Sequence, residues 1–259
     1  MGAITLTTDF GTKDYFVGAM KGVILSIAPG VQIVDITHEI PPQDIVEAAF
    51  VLRNAWPYFP EGTVHVAVID PGVGGRRRPL ALRTRDHFFV GPDNGLFHLV
   101  LRDVSVEQTV EISNPSFVGP RVSDTFHGRD IFAPAAAHLS QGVELIELGP
   151  EVEPLCAESD GLRIEPRRII GQVIHVDRFG NLVTNISRSC FEDFLAGGLF
   201  EVRVGSTTRS ELSRSYDAVK PGETLLIFGS ADFLEISVNR RSATQVLKVG
   251  KGEAVYLTK

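Results

Sequence analysis

Hydrophobic positions in the first half of the chain alternate between two periods. Ile4 to Thr8 is a short β-rich run that ends at Asp9 and Gly11. From Phe16 the apolar residues Met20, Val23, Ile24 and Ile27 recur at helical steps, and Pro29-Gly30 stops that helix. Residues 32–36 form the next strand pattern. Asp44 is placed to cap a second helix that carries Ile45, Ala48, Ala49 and Leu52 on one face. In residues 63–69, Val64, Val66 and Val68 alternate with other side chains, a clear strand running into Asp70-Pro71-Gly72. Strand patterns follow at 80–84 and 87–90, and helical ones at about 95–101 and 129–140. Strands alternating with helices predict an α/β N-terminal domain with a largely parallel sheet covered by helices.

The pattern changes after Glu151. Residues 151–166 are rich in Pro, Glu, Ser and Gly and read as a connector. Short β patterns then follow at 169–176, 182–185, 199–204, 225–228, 233–238 and 254–257. Pro221-Gly222 and Gly250-Lys251-Gly252 supply turns between them, and one short helix fits at 190–195. The expected division is an α/β domain over 1–155, a linker over 156–166 and a small all-β, barrel-like domain over 167–259.

Composition narrows the function classes. With 32 acidic against 25 basic residues the net charge is −7, the wrong sign for a general nucleic-acid binder. The dense basic run is Arg76-Arg77-Arg78. Of the two cysteines, Cys156 and Cys190, neither sits in a C-x-x-C pair, which disfavours a disulfide framework or a zinc site and favours structural thiols. The N-terminus reads as a strand rather than a secretory leader. No apolar stretch approaches the ~20 residues that span a bilayer. The expectation is a cytoplasmic protein with no membrane and no nucleic-acid partner.

Three polar clusters fall just after strands of the α/β half, where open sheets bind ligands. Thr8-Asp9-Phe10-Gly11 is followed by Asp14 at a helix start. Either carboxylate suits ribose hydroxyls, and helix capping is the plainer reading, better for Asp14 than for Asp9. Asp70-Pro71-Gly72-Val73-Gly74-Gly75 lacks the Gly-Lys-Ser/Thr of a phosphate loop. A buried Asp70 would instead need a nearby arginine. Thr125-Phe126-His127-Gly128 leads into a helix. Asp9, Asp70 and His127 include metal-ligating types, but no His-x-His or His-Glu-x-x-His spacing supports a metal. In the β half, Asp177-Arg178-Phe179-Gly180-Asn181 and the run from Gly229 to Asn239 combine acids, amides and an aromatic next to glycine. That suits stacking on a base, or ordinary turn chemistry.

In this order the blocks TTDFGTKDYFVGAMKG, DITHEIPPQDI, VIDPGVGGRRR, GPDNGL, TFHGRDIFAPAAAHL, VDRFGNLVTNI and FLEISVN resemble the S-adenosyl-L-methionine hydrolases (adenosine-forming). These are also called hydroxide adenosyltransferases and are relatives of the fluorinase and chlorinase. The similarity runs over essentially the whole chain. It implies a homotrimer whose active sites lie between the N-terminal domain of one subunit and the C-terminal domain of the next. It implies a catalytic Asp-Arg-His set on Asp70, Arg77 and His127, with Arg77 chosen over its neighbours by the family's spacing. Asp9 would hold ribose hydroxyls, Asp177 the methionine ammonium, and Phe179 and Asn181 the adenosyl pocket. Ser230, Glu235 and the backbone near Val238 and Asn239 would meet the remaining polar groups, with Asp14 a further candidate. No cofactor is expected, S-adenosyl-L-methionine being the substrate. Halogenating relatives carry Tyr where Asp70 stands and Tyr-Ser where His127-Gly128 stand, so water is the expected nucleophile. The rivals are a chloride-using halogenase, an S-adenosylmethionine-binding protein without turnover, and a metal-dependent phosphohydrolase.

Overall fold

All five residues of strand β1 (Ile4–Thr8) are buried, as expected of a parallel strand covered on both faces. In the computed structural model, which describes residues 2–120, 123–155 and 161–259, the chain forms two units, Met1–Ala157 and Glu158–Lys259. From β1 the chain runs through α1 (Phe16–Ile27), β2 (Ile33–Thr37), α2 (Ile45–Ala55), β3 (Thr63–Val68), β4 (Pro79–Thr84), β5 (His87–Pro92), α3 (His98–Asp103), β6 (Val106–Glu111) and α4 (Ala133–Ser140). The sheet order is β2-β1-β3-β5-β4-β6. The pairs β1–β2, β1–β3 and β3–β5 are parallel, while β4 is antiparallel to both its neighbours. From β1 the chain winds out to β2 and then returns to the other side of β1 as β3. That reversal is a topological switch point, beyond whose strand ends open α/β sheets bind ligands. Asp9 directly follows β1, and Asp70 lies two residues beyond β3.

Two apolar layers hold the sheet. On one face Ile4, Leu6, Val64 and Val66 pack with Met20 and Ile24 of α1 and Ala135 and Leu139 of α4. On the other, Ala67, Leu82 and Phe89 pack with Ala48 and Leu52 of α2 and Val100 of α3. Each fully buried large aliphatic side chain contributes about 1.5–3 kcal/mol.

Some boundaries differ from the sequence expectation for local reasons. The helical pattern at 95–101 becomes α3, because Asn94 first accepts the Leu96 N–H in a turn at 3.2 Å. The pattern at 129–140 divides into a π-helical turn, Gly128–Phe132, and α4. Pro134 has no N–H for the Asp130 carbonyl four residues back. That carbonyl accepts from Gly119 instead, at 2.7 Å, and the Ala133 N–H reaches back five residues to Gly128. Asp44 caps α2, accepting from the Glu47 N–H. Asp14 does not cap α1, whose N-cap is Tyr15 with no side-chain bond.

The second unit contains β7 (Arg163–Glu165), β8 (Arg168–Val176), β9 (Leu182–Ser187), α5 (Arg188–Leu195), β10 (Glu201–Val204), β11 (Thr207–Arg209), β12 (Thr224–Phe228), β13 (Phe233–Val238), α6 (Ala243–Leu247) and β14 (Ala254–Thr258). Its strands pair antiparallel in the order β11-β10-β14-β8-β9-β13-β12, with β7 on β8, in a barrel-like sheet. Ile169, Leu182, Leu226, Leu234, Val255 and Leu257 fill its core. Of the expected linker, 163–165 form β7, and 156–160, with Cys156, lie outside the described residues. Among the described residues, no helix is long and apolar enough to cross a membrane.

Candidate active site

Beyond β3 the chain turns back on itself. The Val73 N–H donates to the Asp70 carbonyl at 3.2 Å and the Gly75 N–H to the Gly72 carbonyl at 3.0 Å. Asn94 braces the turn's entrance by donating to the Ile69 carbonyl at 2.9 Å. Gly74, at φ +72°, presses on the loop before His127: a Cβ there would lie 2.2 Å from the Asp124 carbonyl oxygen. The turn brings Arg77 back onto Asp70, where Nε donates to Oδ1 at 2.9 Å and Nη2 to Oδ2. The same Nη2 lies 2.6 Å from His127 Nδ1, and the guanidinium covers the Phe132 ring. The Asp70 and Arg77 side chains are only 5% and 8% exposed. A pair buried this deeply costs about 3–5 kcal/mol when one partner is removed, because the other charge is left stranded.

The neighbouring arginines do other things. Arg76 is exposed. Arg78 pairs with the buried Asp93 and also donates to the Glu153 carbonyl at 2.7 Å.

A guanidinium only donates hydrogen bonds, so His127 Nδ1 accepts and the ring is neutral with its proton on Nε2. Burial, then the positive charge of Arg77, hold the His127 pKa below its ordinary value, while Asp70, Asp130 and Asp124 oppose that shift. Asp130 orders the approach to His127 by accepting from the Ser123 N–H at 2.9 Å. Gly128 is closely packed: an added Cβ would lie 3.2–3.4 Å from the Met20, Phe126 and Phe10 side chains, which would have to give by a few tenths of an ångström.

Asp9 belongs to the same crevice. Its Oδ2 accepts from the Gln43 N–H at 2.8 Å, and Gln43 adopts a left-handed φ of 67° to supply it. Burial raises the Asp9 pKa and the negative charge of Asp70 adds to it, against the two backbone N–H groups that favour the carboxylate. Asp14 is exposed nearby.

In the second unit Asp177 organises the β8–β9 turn. Its Oδ1 accepts from the Phe179 and Asn181 N–H groups at 2.9 and 2.8 Å, and its Oδ2 from Asn181 Nδ2 at 2.8 Å. Three donors leave a carboxylate room for about one more. The turn pushes Phe179 out to 78% exposure. The buried Glu235 accepts from Tyr216 Oη at 2.7 Å and Ser237 Oγ at 2.9 Å. The Tyr216 pKa is raised by burial first and then by Glu235. Val238 and Asn239 are buried at the end of β13 nearest the Asp177 turn, and Asn239 Nδ2 donates to the Val219 carbonyl at 2.7 Å. Ser230 is exposed on the β12–β13 hairpin, at the other end of β13.

Tyr216, Asn94 and Gln43 carry no sequence signal as site residues. A lone tyrosine in a polar loop and turn-type amides become informative only through what they touch. Among the described residues, no three or more His, Cys, Asp or Glu side chains cluster to hold a metal ion.

An α/β sheet with an acid–guanidinium–imidazole set at its switch point, followed by a separate antiparallel β unit, defines a two-unit class of α/β-plus-β proteins. The chain belongs to the SAM hydroxide adenosyltransferase family: the family's N-terminal domain matches residues 4–149 and its C-terminal domain residues 171–256. It is 38% identical to the (R)-S-adenosyl-L-methionine hydrolase of Salinispora arenicola, over 98% of this chain and 97% of that protein. It is 39% identical to the enzyme of the same name from Thermus thermophilus, over 99% and 100%. A fluorinase from an Actinoplanes species is more distant, 28% identical over 99% and 97%. The crystal structure of an uncharacterized conserved protein from Thermotoga maritima superimposes with a TM-score of 0.89 at 38% identity, covering 99% of this chain and all of that one.

Two outcomes follow from this geometry. In an NMR titration His127 has a midpoint below ~6.5. Arg77→Met moves that midpoint up by removing a positive neighbour, and Asp70→Asn moves it down by removing a negative one; shifts of the same sign would contradict the arrangement. Gly74→Ala lowers unfolding stability by about 1–3 kcal/mol in urea melts, for the left-handed strain alone. Gly22→Ala, at an exposed α1 position with nothing within 4 Å, raises it by about 0.5–1 kcal/mol.

Proposed function

We propose that this protein hydrolyses S-adenosyl-L-methionine to adenosine and L-methionine. Water attacks the 5′ carbon, a carbon–oxygen bond forms, and the carbon–sulfur bond breaks with its electron pair going to sulfur. The leaving group is a neutral thioether and needs no protonation, and the proton lost by water passes to solvent. The observation that carries the reading is the bridging of Asp70 and His127 by one Arg77 guanidinium, at the switch point of a chain belonging to this family. The names of the curated relatives specify the (R) form, and we extend that preference to this chain.

The chemistry asks for placement more than for a strong base. Water has a pKa of ~15.7 and an ordinary histidine ~6.5. Full deprotonation before attack would cost roughly 12 kcal/mol, at about 1.36 kcal/mol per unit. The lowered pKa of His127 makes that route costlier still. Proton loss therefore accompanies or follows carbon–oxygen bond formation. His127 Nε2–H donates to one lone pair of the oxygen and leaves the other for attack, Asp70 accepts from the attacking water, and Arg77 holds Asp70 and His127 in place. Holding the reactants in line supplies about 7–11 kcal/mol of the barrier reduction.

In this reading Asp9 grips the ribose hydroxyls, and Asp177, Phe179 and Asn181 receive the ammonium and the adenosyl group. Glu235, Ser230 and the backbone at Val238–Asn239 serve the remaining polar groups, and Asp14 is a peripheral contact. The active form is a cytoplasmic homotrimer with sites shared between subunits. An aromatic side chain as exposed as Phe179 supports burial against a partner copy or a substrate. No cofactor takes part, so chelation leaves the rate unchanged. A serine at Gly128, as in the halogenating relatives, would press on the Met20, Phe126 and Phe10 side chains, and the glycine here lacks the hydroxyl that would hold a halide, which supports water over halide.

Incubation in oxygen-18 water with chloride present tests the reaction. Labelled adenosine with unlabelled methionine is expected; a halogenated nucleoside, or intact substrate after long incubation, would overturn the reading. His127→Ala lowers kcat about 10²-fold or more through the lost water geometry, whereas wild-type turnover in that variant would remove His127 from the mechanism. Supplied with the two sulfonium epimers separately, the enzyme consumes the (R) form faster.

A further inference from the structure

Beside the crevice, a row of polar side chains runs inward from the surface to the loop that carries Asp9. Lys21 Nζ on α1 donates to Asp35 Oδ2 at 2.6 Å. Asp35 Oδ1 lies 3.1 Å from His38 Nε2, a charge contact off the line of a good hydrogen bond. His38 Nδ1 lies 2.9 Å from Thr8 Oγ1. Thr8 Oγ1 in turn accepts from the Phe10 N–H at 3.3 Å, and the His38 carbonyl accepts from the Gly11 N–H at 2.7 Å. The register of β1 and β2 shifts after Leu6, pairing Thr7 with Thr37 and so bringing His38 level with Thr8. His38 is 5% exposed and Thr8 fully buried.

Protonation follows from this order. The carboxylate of Asp35 favours the imidazole proton on Nε2, which leaves Nδ1 to accept the Thr8 O–H. With its proton committed, the Thr8 oxygen presents lone pairs to the Phe10 N–H. His38 thus holds both amides that follow Asp9, one through its side chain and Thr8, the other through its carbonyl. Apolar residues would fill this space without the cost of burying polar groups. An ordered polar row is worth burying where it sets the angle of one neighbour.

We infer that His38 is a positioning residue that sets Asp9 against the ribose hydroxyls through the Thr8 hydroxyl, with Asp35 and Lys21 fixing its tautomer. The inference rests on the proposed role of Asp9. It predicts that a change in this row weakens recognition of the ribose hydroxyls specifically, rather than nucleoside binding as a whole.

The test measures inhibition constants of adenosine and 2′,3′-dideoxyadenosine for the wild type and for Thr8→Val, His38→Gln and His38→Asn. Wild type favours adenosine by about tenfold or more, as hydrogen bonds to a charged group allow. Thr8→Val and His38→Gln collapse that ratio to within about twofold and leave dideoxyadenosine binding unchanged, the coupling pattern of a ligand–mutation cycle. His38→Asn, whose Oδ1 takes the place of Nδ1 as acceptor, restores most of the ratio. If the variants keep the full ratio, or lose both ligands equally, His38 and Thr8 are structural only and the inference fails while Asp9 keeps its role. If wild type itself shows no preference, the Asp9 reading falls, and this one with it. Should the His38 variants not fold, Thr8→Val against Thr8→Ser, which keeps the hydroxyl, decides the matter.

Discussion

The Arg77 guanidinium carries a tight constraint in the α/β unit, because one planar fork has to satisfy an acid and an imidazole at once. Asp70 accepts from Nε and Nη2, and His127 accepts from the same Nη2. Such a fork tolerates little displacement: lysine would offer a point charge in its place. Burial makes the arrangement strong and also unforgiving, since a charge left unpaired there is far costlier than one in water. The return turn with Gly72, Gly74 and Gly75, the brace from Asn94, and the close approach of Gly74 to Asp124 all keep the fork where both partners can reach it.

The surroundings of that fork have local causes of their own. The π-helical turn after His127 follows from Pro134, and it frees the Asp130 carbonyl to hold Gly119. Gly128 is hemmed in by Met20, Phe10 and Phe126, so the backbone at His127 sits against an aromatic wall. The same burial that secures the ion pair depresses the basicity of His127. A neutral imidazole that donates from Nε2 is a better holder of a water oxygen than an abstractor of its proton. For the proposed attack on a sulfonium substrate the problem is alignment, and an orienting imidazole serves that better than a strong base.

The second unit follows a looser logic. Asp177 spends most of its hydrogen-bonding capacity on its own turn, and by doing so it presents Phe179 outward. Glu235 is buried, and Tyr216 and Ser237 both donate to its Oε1. Turn chemistry and ligand recognition are not exclusive in such a loop: the hydrogen bonds that shape it also fix where the remaining lone pairs point.

Much of this was legible from residue order alone. Helical spacing of apolar residues marked α1 and α2, where burial of one face imposes the period; a β-rich run marked β1 and alternating valines marked β3, both in fact buried on both faces, and the loss of helical period after Glu151 marked the change to an antiparallel β unit. The positions of Asp9 and Asp70 just past strand ends were visible from the same patterns. Antiparallel pairing of β4 was not, since strand direction depends on partners distant in sequence. Nor could capping by Asp14 be decided, as a carboxylate before a helix can cap it or leave that task undone. The choice among Arg76, Arg77 and Arg78 shows the limit most sharply. Three identical side chains have identical local chemistry, and family spacing, not local physics, favoured the middle one. In the folded chain Arg76 faces solvent, Arg77 meets Asp70 and His127, and Arg78 meets Asp93. Local sequence sets what each residue can bond; only the turn that brings distant strand ends together settles which of them has a partner within reach.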